Sequence, residues 1–237
     1  MARSQRTDLH QRADALLDAA AALLVGAGPR RIRIEDVAER TGVGKGTVYL
    51  HWPSREHLLV AVGAREAAAV LDAAIGSMRN DPTEVALHRY LRRHFLEAMR
   101  RPALGAIFIA GNTDLEVLAA HPARARLAAS KRIAARDHLA ALRAQRLLRP
   151  GLDLADVDYE VEAIAYGFFA AAPLLPDDPR FTVEHRADRL ADVVRCSFEP
   201  ARTPAPERYS VAAPQVIDAL QRLADEFRRA AYGTAAD

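Results

Sequence analysis

The sequence predicts an all-α protein, and three observations support that fold class. Apolar residues recur at spacings of three and four along most of the chain, which is the period of an amphipathic helix. Glycine and proline interrupt this pattern where helices commonly end or begin. No stretch shows the strict alternation of a half-buried strand. The 237 residues, half of them hydrophobic, suffice for one domain of ordinary size and a small one.

Three helices are predicted in an N-terminal domain at residues 1–54. An apolar stripe that stops at a Gly-Pro turn defines the first, a left-handed glycine ends the second, and a proline ends the third. They are expected from near Thr7 to the GAGP of residues 26–29, at about 34–41 and at about 45–51. Residues 1–7 are expected to form an arm ahead of the first helix.

Further helices are predicted in a larger C-terminal domain at residues 55–237. Ser54 caps the first of them, and Asp81-Pro82 begins the second. The helices are expected at about residues 55–78, 82–99, 122–148, 154–172, 183–198 and 214–231, with shorter pieces between 103 and 120. A proline-rich linker at residues 199–209 precedes the terminal helix.

Charge is distributed unevenly along a chain whose formal net charge is only +2. Nine Lys and Arg stand against six Asp and Glu through residue 55, whereas the remainder is close to neutral. This excess favours an anionic partner at the N-terminal end. The single cysteine, Cys196, has no internal disulfide partner, and neither a leader peptide nor a membrane span is recognisable, so we expect a cytoplasmic protein.

The stretch TGVGKGTVYLHW, residues 41–52, contains three glycines and a Lys-Gly-Thr run that suggest a phosphate-binding loop. Such a loop needs Gly-Lys followed by Ser or Thr, placed between a strand and a helix. Here Gly44-Lys45 is followed by Gly46, and the preceding segment is predicted as a helix. Both residue type and context therefore argue against nucleotide binding.

The same stretch fits two short helices joined by a tight turn. Val37, Val43 and Val48 are spaced to pack at the crossing, and Ala38 is small enough for a close approach. This is the arrangement of a helix-turn-helix, in which the first helix braces and the second enters the major groove of DNA. The sequence therefore predicts a DNA-binding domain.

The outer face of the second helix supplies the candidate DNA contacts. Thr47 is short enough to touch a base edge or a thymine methyl group. Tyr49 and His51 are placed to donate to phosphate oxygens, and Arg55 lies at a helix N-terminus that also attracts phosphate. The residues expected on the outward surface are Lys45, Gly46, Thr47, Leu50 and His51.

Residues 33–62, RIEDVAERTGVGKGTVYLHWPSREHLLVAV, resemble the TetR family of tetracycline-repressor-like regulators. The shared pattern is Val-Ala near the end of the bracing helix, then Gly-Val, Lys-Gly-Thr, Tyr, an aromatic residue and a Ser-Arg-Glu helix start. The likeness extends from about His10 to Val62. It implies a DNA-binding transcriptional regulator, usually a repressor released by a small molecule, and not an enzyme.

The resemblance implies roles for individual residues. Those at or nearest the bases are Lys45, Gly46 and Thr47, and those on backbone phosphates are Tyr49, His51 and Arg55. The positions that depart from the family pattern are Arg33 for a capping threonine, Gly44 for a capping serine, Leu50 for a polar or basic residue, and Trp52 for phenylalanine. At Arg33 the family's first contact is either lost or replaced by a charge–phosphate contact.

The resemblance also implies a C-terminal domain with a small-molecule pocket and a homodimer interface of two helices per subunit. The helices near 154–172 and 183–198 are the candidates, because their alanine-rich faces permit close packing. Part of their apolar surface is expected to be core within one subunit. A ligand that favours a conformation unable to fit two half-sites of a palindromic operator would release the DNA.

Aromatic and polar side chains on shared helix faces are candidates for lining the ligand pocket. They are Tyr90, His94, Phe95, Met99, Phe108, Asn112, Tyr166 and Phe169. The alternative is that this stripe is packed core and that His94 is a satisfied buried histidine.

Other functions remain as alternatives. An enzyme using the helical cavity would need a catalytic motif, and no Gly-x-Ser-x-Gly, His-Glu-x-x-His or dinucleotide loop occurs. A metal sensor would draw on the eight histidines, but no two lie three or four residues apart. A regulator that responds to a protein partner would need no ligand. We expect neither a metal nor a cofactor.

Overall fold

The computed structural model describes residues 2–28, 31–108, 122–171 and 178–233, and these residues form ten α-helices and no strand. The all-α prediction is confirmed. The helices are α1 (Ala2–Ala27), α2 (Ile34–Thr41), α3 (Lys45–His51), α4 (Arg55–Asn80), α5 (Leu87–Met99), α6 (Pro102–Phe108), α7 (Pro122–Ala144), α8 (Leu154–Ala171), α9 (Val183–Phe198) and α10 (Pro206–Tyr232). Among the described residues, no helix is both long and apolar enough to cross a membrane.

Several boundaries match the sequence prediction because local chemistry determines them. Helices α2, α3 and α9 begin and end at the predicted residues. Gly42 ends α2 in the left-handed conformation, at φ 68° and ψ 24°. Ser54 caps α4, since its hydroxyl accepts a hydrogen bond from the His57 amide at 3.3 Å.

The first and last helices are longer than predicted. Helix α1 begins at Ala2, so residues expected to form an arm are helical. Helix α10 begins at Pro206, and Pro214 lies inside it rather than at its start. Proline is favourable in a first turn, which is why Pro214 indicated a start. The buried side chains of Tyr209 and Ala213 extend the apolar face before it, so packing continues the helix through the proline.

Two helices in the middle of the chain are shorter than predicted. Asp81 caps a 3-10 helix, Pro82–Val85, and α5 starts separately at Leu87. Helix α7 ends four residues before Leu148, because Arg146 adopts a positive φ of 54°. The Leu147 amide then donates to the Leu142 carbonyl at 2.9 Å, which closes the helix end.

Contacts divide the chain into two compact units. The first comprises Met1–Ala68, Arg101–Ala128 and Asp225–Asp237, and the second comprises Ala69–Arg100 and Ala129–Ala224. The first unit thus includes α1 to α3, together with segments that the predicted boundary at residue 54 does not include.

The core of the first unit is built from the inward faces of α1 to α4. Leu16 and Leu17 of α1, Val37 of α2, Val48 of α3 and Leu58 of α4 are all fully enclosed. Burial of such side chains contributes roughly 1.5–3 kcal/mol each relative to exposure. Helix α3 is anchored by Val48 alone, whereas α2 buries Ile34, Val37 and Ala38, so the opposite face of α3 is free for function.

The core of the second unit centres on the packing of α5 against α9. Phe95 of α5 and Leu190, Val194 and Phe198 of α9 are buried. At one end, the buried Glu199 carboxylate accepts a hydrogen bond from the His88 amide at 2.9 Å. It also lies 2.7 Å from His88 Nδ1, so this buried acid is satisfied at both oxygens.

Candidate nucleic-acid interface

The α2–α3 turn has the predicted packing. Gly42 and Val43 amides donate to the Glu39 and Ala38 carbonyls at 3.1 and 3.0 Å, which satisfies the last carbonyls of α2. Ala38 and Val48 are buried, and the partly buried Val43 packs against the same core. The two helices are therefore held rigidly, with Val48 as the inward anchor of α3.

The outward face of α3 is open. Leu50 is 79% exposed and Tyr49 is 48% exposed, so two large side chains lie side by side on this face. Lys45 and Gly46 are exposed, and Thr47 is half-buried. An added Cβ at Gly46 would meet no atom of the chain within 4 Å. The glycine is therefore not required by packing within this chain.

Two of the predicted basic contacts are already paired with acids. Lys45 Nζ lies 2.8 Å from Glu35 Oε1 on α2. Arg33 donates to both carboxylate oxygens of Asp36, from Nη2 to Oδ1 at 2.7 Å and from Nε to Oδ2 at 3.2 Å. This pair stabilises the start of α2. Both bridges are exposed, and such pairs are weak enough to exchange for a phosphate. Neither pairing is visible in the sequence motif.

The environment of His51 favours its neutral form. Burial, and then the positive charge of Arg12 on α1, hold the pKa of His51 below its usual value. Its ring lies 5.3 Å from that of Trp52. A neutral imidazole still has one N–H to donate, so the predicted phosphate contact needs no protonation.

Arg55 has partners within the chain in addition to its position at a helix start. Its Nε donates to the Ile32 carbonyl at 2.9 Å, and its Nη1 lies 3.4 Å from Glu56 Oε1. The side chain is 27% exposed. Arg55 therefore connects the start of α4 to the segment before α2, a structural role that the sequence pattern did not indicate.

Sequence reasoning missed a groove beside α1. It has a volume of about 410 Å³ and is lined by Gln11, Arg12, Ala15, Leu16, Thr41 and Val43. Arg12 is exposed there and lies close enough to His51 to affect its charge. The available signal was a basic residue beside the apolar stripe of the first helix.

A cluster of aromatic rings and histidines lies inside the second unit. The Tyr90 ring is 5.7 Å from His94 and 5.1 Å from His138, and the Phe169 ring is 6.4 Å from His94 and 4.9 Å from Phe95. Four predicted pocket residues, Tyr90, His94, Phe95 and Phe169, thus come together. His138 joins them, although the sequence did not single it out.

Burial holds the cluster in its uncharged form. It lowers the pKa of both His94 and His138 to about 4 and raises the pKa of Tyr90 to about 12. His138 Nε2 donates to the Val85 carbonyl at 2.7 Å, because a carbonyl only accepts. Within the described residues His94 Nδ1 is buried without a hydrogen-bond partner. A buried polar atom of this kind calls for a further partner.

The other four residues predicted to line the pocket either have different positions or lie outside the described residues. Tyr166 lies on the outer surface of α8, 68% exposed, and so does not line an enclosed cavity in this chain. Its helical face was ambiguous in the sequence, because an apolar stripe serves a core or an interface equally well. Met99 is half-buried near the end of α5. The Phe108 side chain and Asn112 lie outside the described residues.

The two helices predicted for the dimer interface divide their apolar residues between two surfaces. Val157, Leu190, Val194 and Phe198 are core residues of this chain. Tyr159, Tyr166 and Val193 are instead exposed, at 75%, 68% and 42%. Tyr159 and Tyr166 are two turns apart, so they lie on one face of α8.

These features define a class of protein: an all-α chain whose N-terminal unit presents the second helix of a helix-turn-helix. The family described as bacterial regulatory proteins, tetR family, matches residues 16–62. This match lies within the N-terminal segment and agrees with the resemblance that the sequence motif indicates.

Known relatives resemble different portions of the chain. The HTH-type transcriptional repressor KstR of Rhodococcus jostii (strain RHA1) is 43% identical over 56 residues. That match spans 24% of this chain and 26% of KstR, so it is confined to a quarter of the relative.

Two solved structures resemble the fold over most of its length. One, described as the molecular basis for control of antibiotic production by bacterial hormones, is 25% identical with a TM-score of 0.58, covering 80% of this chain and 98% of its own. The SmeT–triclosan complex is 19% identical with a TM-score of 0.64, covering 82% of this chain and 96% of its own. SmeT is the repressor of a multidrug efflux pump of Stenotrophomonas maltophilia.

Proposed function

We propose that the chain is a transcriptional regulator that binds duplex DNA through α3 and acts as a repressor in the cytoplasm. The observation that carries this proposal is the open face of α3, where Leu50 and Tyr49 are exposed while Val48 is fully buried on the other side. Large exposed side chains on a rigid seven-residue helix are suited to burial against the major groove.

Within this proposal, each residue of the interface has a role. Gly46 and Thr47 approach the base edges, and Leu50 contacts a thymine methyl group. Tyr49 and His51 donate to phosphate oxygens. The remaining cations bind backbone phosphates. Arg33, Lys45 and Arg55 leave their acidic partners to do so, and Arg12 binds phosphate from its position at the groove.

The proposed assembly is a homodimer formed by α8 and α9. Tyr159, Tyr166 and Val193 supply an apolar surface that a second copy would cover. Two recognition helices would then meet half-sites about one DNA turn, roughly 34 Å, apart. We expect Tyr166→Glu to give monomers in light scattering and to lower affinity for a palindromic duplex by about a hundredfold, because the second half-site is no longer linked.

A matched control for the dimer is Val211→Glu, which also places a charge on an exposed apolar residue, on α10. This variant should remain dimeric. If Tyr166→Glu also remained dimeric, α8 would not be the interface.

The proposed effector site is the aromatic cluster around His94. The neutral rings of Tyr90 and Phe169 suit an apolar or aromatic molecule, and the unpartnered His94 Nδ1 offers one directional hydrogen bond. SmeT, a structural relative, has been solved with triclosan. An effector regulates only through different affinities for the DNA-binding and released conformations.

A second candidate function is a helical enzyme that uses the same cluster, because His94 and His138 have lowered pKa values of the kind found at catalytic sites. The cluster lacks a nucleophile beside a base among the described residues, which favours binding over catalysis.

The experiment that tests the proposed function is selection of duplex fragments from the source genome by the purified chain, followed by footprinting. We expect palindromic fragments with a protected region that covers two half-sites. Enrichment should fall steeply with salt concentration, because binding releases counterions from the phosphates. Recovery of fragments without a shared sequence would contradict the proposal.

A further inference from the structure

The end of the C-terminal helix is part of the unit that contains the recognition helix. Asp225–Asp237 belongs to the first unit, and the described end of α10, through Tyr232, contributes to its core. Ala231 is fully buried, and Tyr232 packs against the cluster formed by α1 to α4. These residues lie about 180 positions from α3 in the sequence, so no local pattern indicates the contact.

One contact joins α10 directly to the end of α3. Trp52 follows the last residue of α3 and caps that helix, since its amide donates to the Val48 carbonyl at 2.9 Å. Its indole Nε1 donates to the Ala231 carbonyl at 3.1 Å, in a buried environment. Because Ala231 lies in the last turn of α10, its carbonyl has no helical partner and needs such a donor.

A second set of contacts joins α10 to α1. The rings of Tyr232 and His10 are stacked, with centroids 5.0 Å apart and an interplanar angle of 20°. The Tyr232 hydroxyl donates to Asp14 Oδ1 at 2.6 Å, and burial together with this carboxylate raises the pKa of Tyr232 to about 12. Ala231 and Tyr232 are thus adjacent residues with partners on two different helices.

We infer that the last turn of α10 positions the recognition helix for DNA, by holding Trp52 through Ala231 and α1 through Tyr232. This inference rests on the proposed function. Trp52 and Tyr232 are positioning residues, since neither belongs to the outward face of α3. The carbonyl of Ala231 fixes one end of α3, and Val48 fixes its middle, so the helix has two anchors instead of one.

The structure provides its own probe for this contact. Trp52 is the only tryptophan of the chain and is 3% exposed. Its fluorescence therefore reports on one buried site. Loss of Ala231 should expose the indole and shift its emission to longer wavelength, with greater quenching by iodide.

The experiment compares two truncations, one ending at Ala230 and one ending at Gly233. The longer chain retains Ala231 and Tyr232 and should match the full chain. The shorter chain should show the emission shift and lose about fivefold in its preference for the selected operator over a scrambled duplex of equal length. Affinity for the scrambled duplex should hardly change, because it depends on charge and not on helix placement.

Point variants keep the test decisive if the shorter chain does not fold. Trp52→Phe removes the indole donor while it retains an aromatic ring, and Tyr232→Phe removes only the hydroxyl. Each should lower the specific preference while circular dichroism shows an unchanged helix content. Unchanged preference in both point variants would overturn the inference, as would an emission shift in the shorter chain without any loss of preference.

Failure of the proposed function has a different signature. If the full chain preferred no duplex while the shorter truncation still shifted the Trp52 emission, the contact would stand as packing alone. The positioning role would then be rejected together with the DNA-binding function.

Discussion

The outer face of α3 and the cluster around His94 differ in how far their polar and aromatic side chains are exposed to solvent. On α3, Leu50 and Tyr49 are exposed and Lys45 is held only by a surface ion pair. In the cluster, His138 is buried and Tyr90 and His94 are half-buried, and desolvation keeps all three neutral. The difference indicates that substitutions on α3 will change binding and leave folding intact, whereas substitutions in the cluster will change folding first.

The largest expected effect tests the buried side of this comparison through His138. Its pKa of about 4 in the folded chain lies below the ordinary value of about 6.5. Between these values the unfolded chain binds a proton that the folded chain does not, so stability falls as pH falls. At pH 5 we expect His138 alone to contribute a loss of about 2 kcal/mol to the free energy of unfolding relative to pH 7.

Urea unfolding of the parent and of His138→Gln at both pH values measures this loss. The amide of Gln keeps a donor for the Val85 carbonyl but does not titrate. The fall in stability should therefore be about 2 kcal/mol smaller in the variant. Equal falls would mean that His138 is not held neutral by burial.

The next effect tests the exposed side through Gly46→Ala. No atom of the chain approaches an added Cβ, so the free energy of unfolding should rise by up to about 1 kcal/mol from improved helix propensity. Affinity for the selected duplex should instead fall by about tenfold, because the methyl group occupies space that the DNA needs.

Gly44→Ser is the matched control, since it lies outside α3 and replaces an N-cap that has no side-chain hydrogen bond. It should stabilise the chain without the loss of affinity. A Gly46→Ala variant that bound DNA as well as the parent would remove Gly46 from the interface.

A smaller effect separates the structural and electrostatic roles of Arg55. Arg55→Ala and Arg55→Lys both remove the Nε donor to the Ile32 carbonyl, but only the alanine variant removes the charge. Affinity measured over a range of salt concentrations should show a slope reduced by about one for Ala and unchanged for Lys. Identical slopes in both variants would show that Arg55 contacts no phosphate.

The smallest expected effect concerns His51. Its pKa is lowered in the free chain by burial and by Arg12, and a nearby phosphate would raise it in the complex. The complex would then bind the proton more tightly, so affinity should rise by about threefold as pH falls from 7.5 to 6. His51→Asn should lack this dependence in fluorescence anisotropy titrations. A parent affinity that does not change with pH would place His51 away from phosphate.

The elements of the first unit were predictable where local chemistry decides them. Gly42 and the proline after Trp52 delimit α2 and α3, and both helices begin and end where the sequence predicts. The pairing of Lys45 with Glu35 and of Arg55 with Ile32 depends on how helices cross, which periodicity does not contain. The Trp52–Ala231 contact joins positions 179 residues apart and was invisible for the same reason.

The second unit was less predictable because one apolar stripe has several uses. Phe169 and Tyr166 are three residues apart on α8, yet one joins the buried cluster and the other is exposed. Periodicity identifies a helix face but not what covers it. His138 was missed because its role depends on the Val85 carbonyl, which is 53 positions away.

The most direct test of the central claim is to repeat the genomic selection with Thr47→Ala beside the parent chain. Thr47 is a half-buried residue of α3 and carries no charge, so the salt dependence of binding should be unchanged. We expect a changed base preference at one symmetric pair of positions within the footprint. Recovery of the same sequence with the same base preference at every position would contradict the assignment of α3 as the helix that reads DNA.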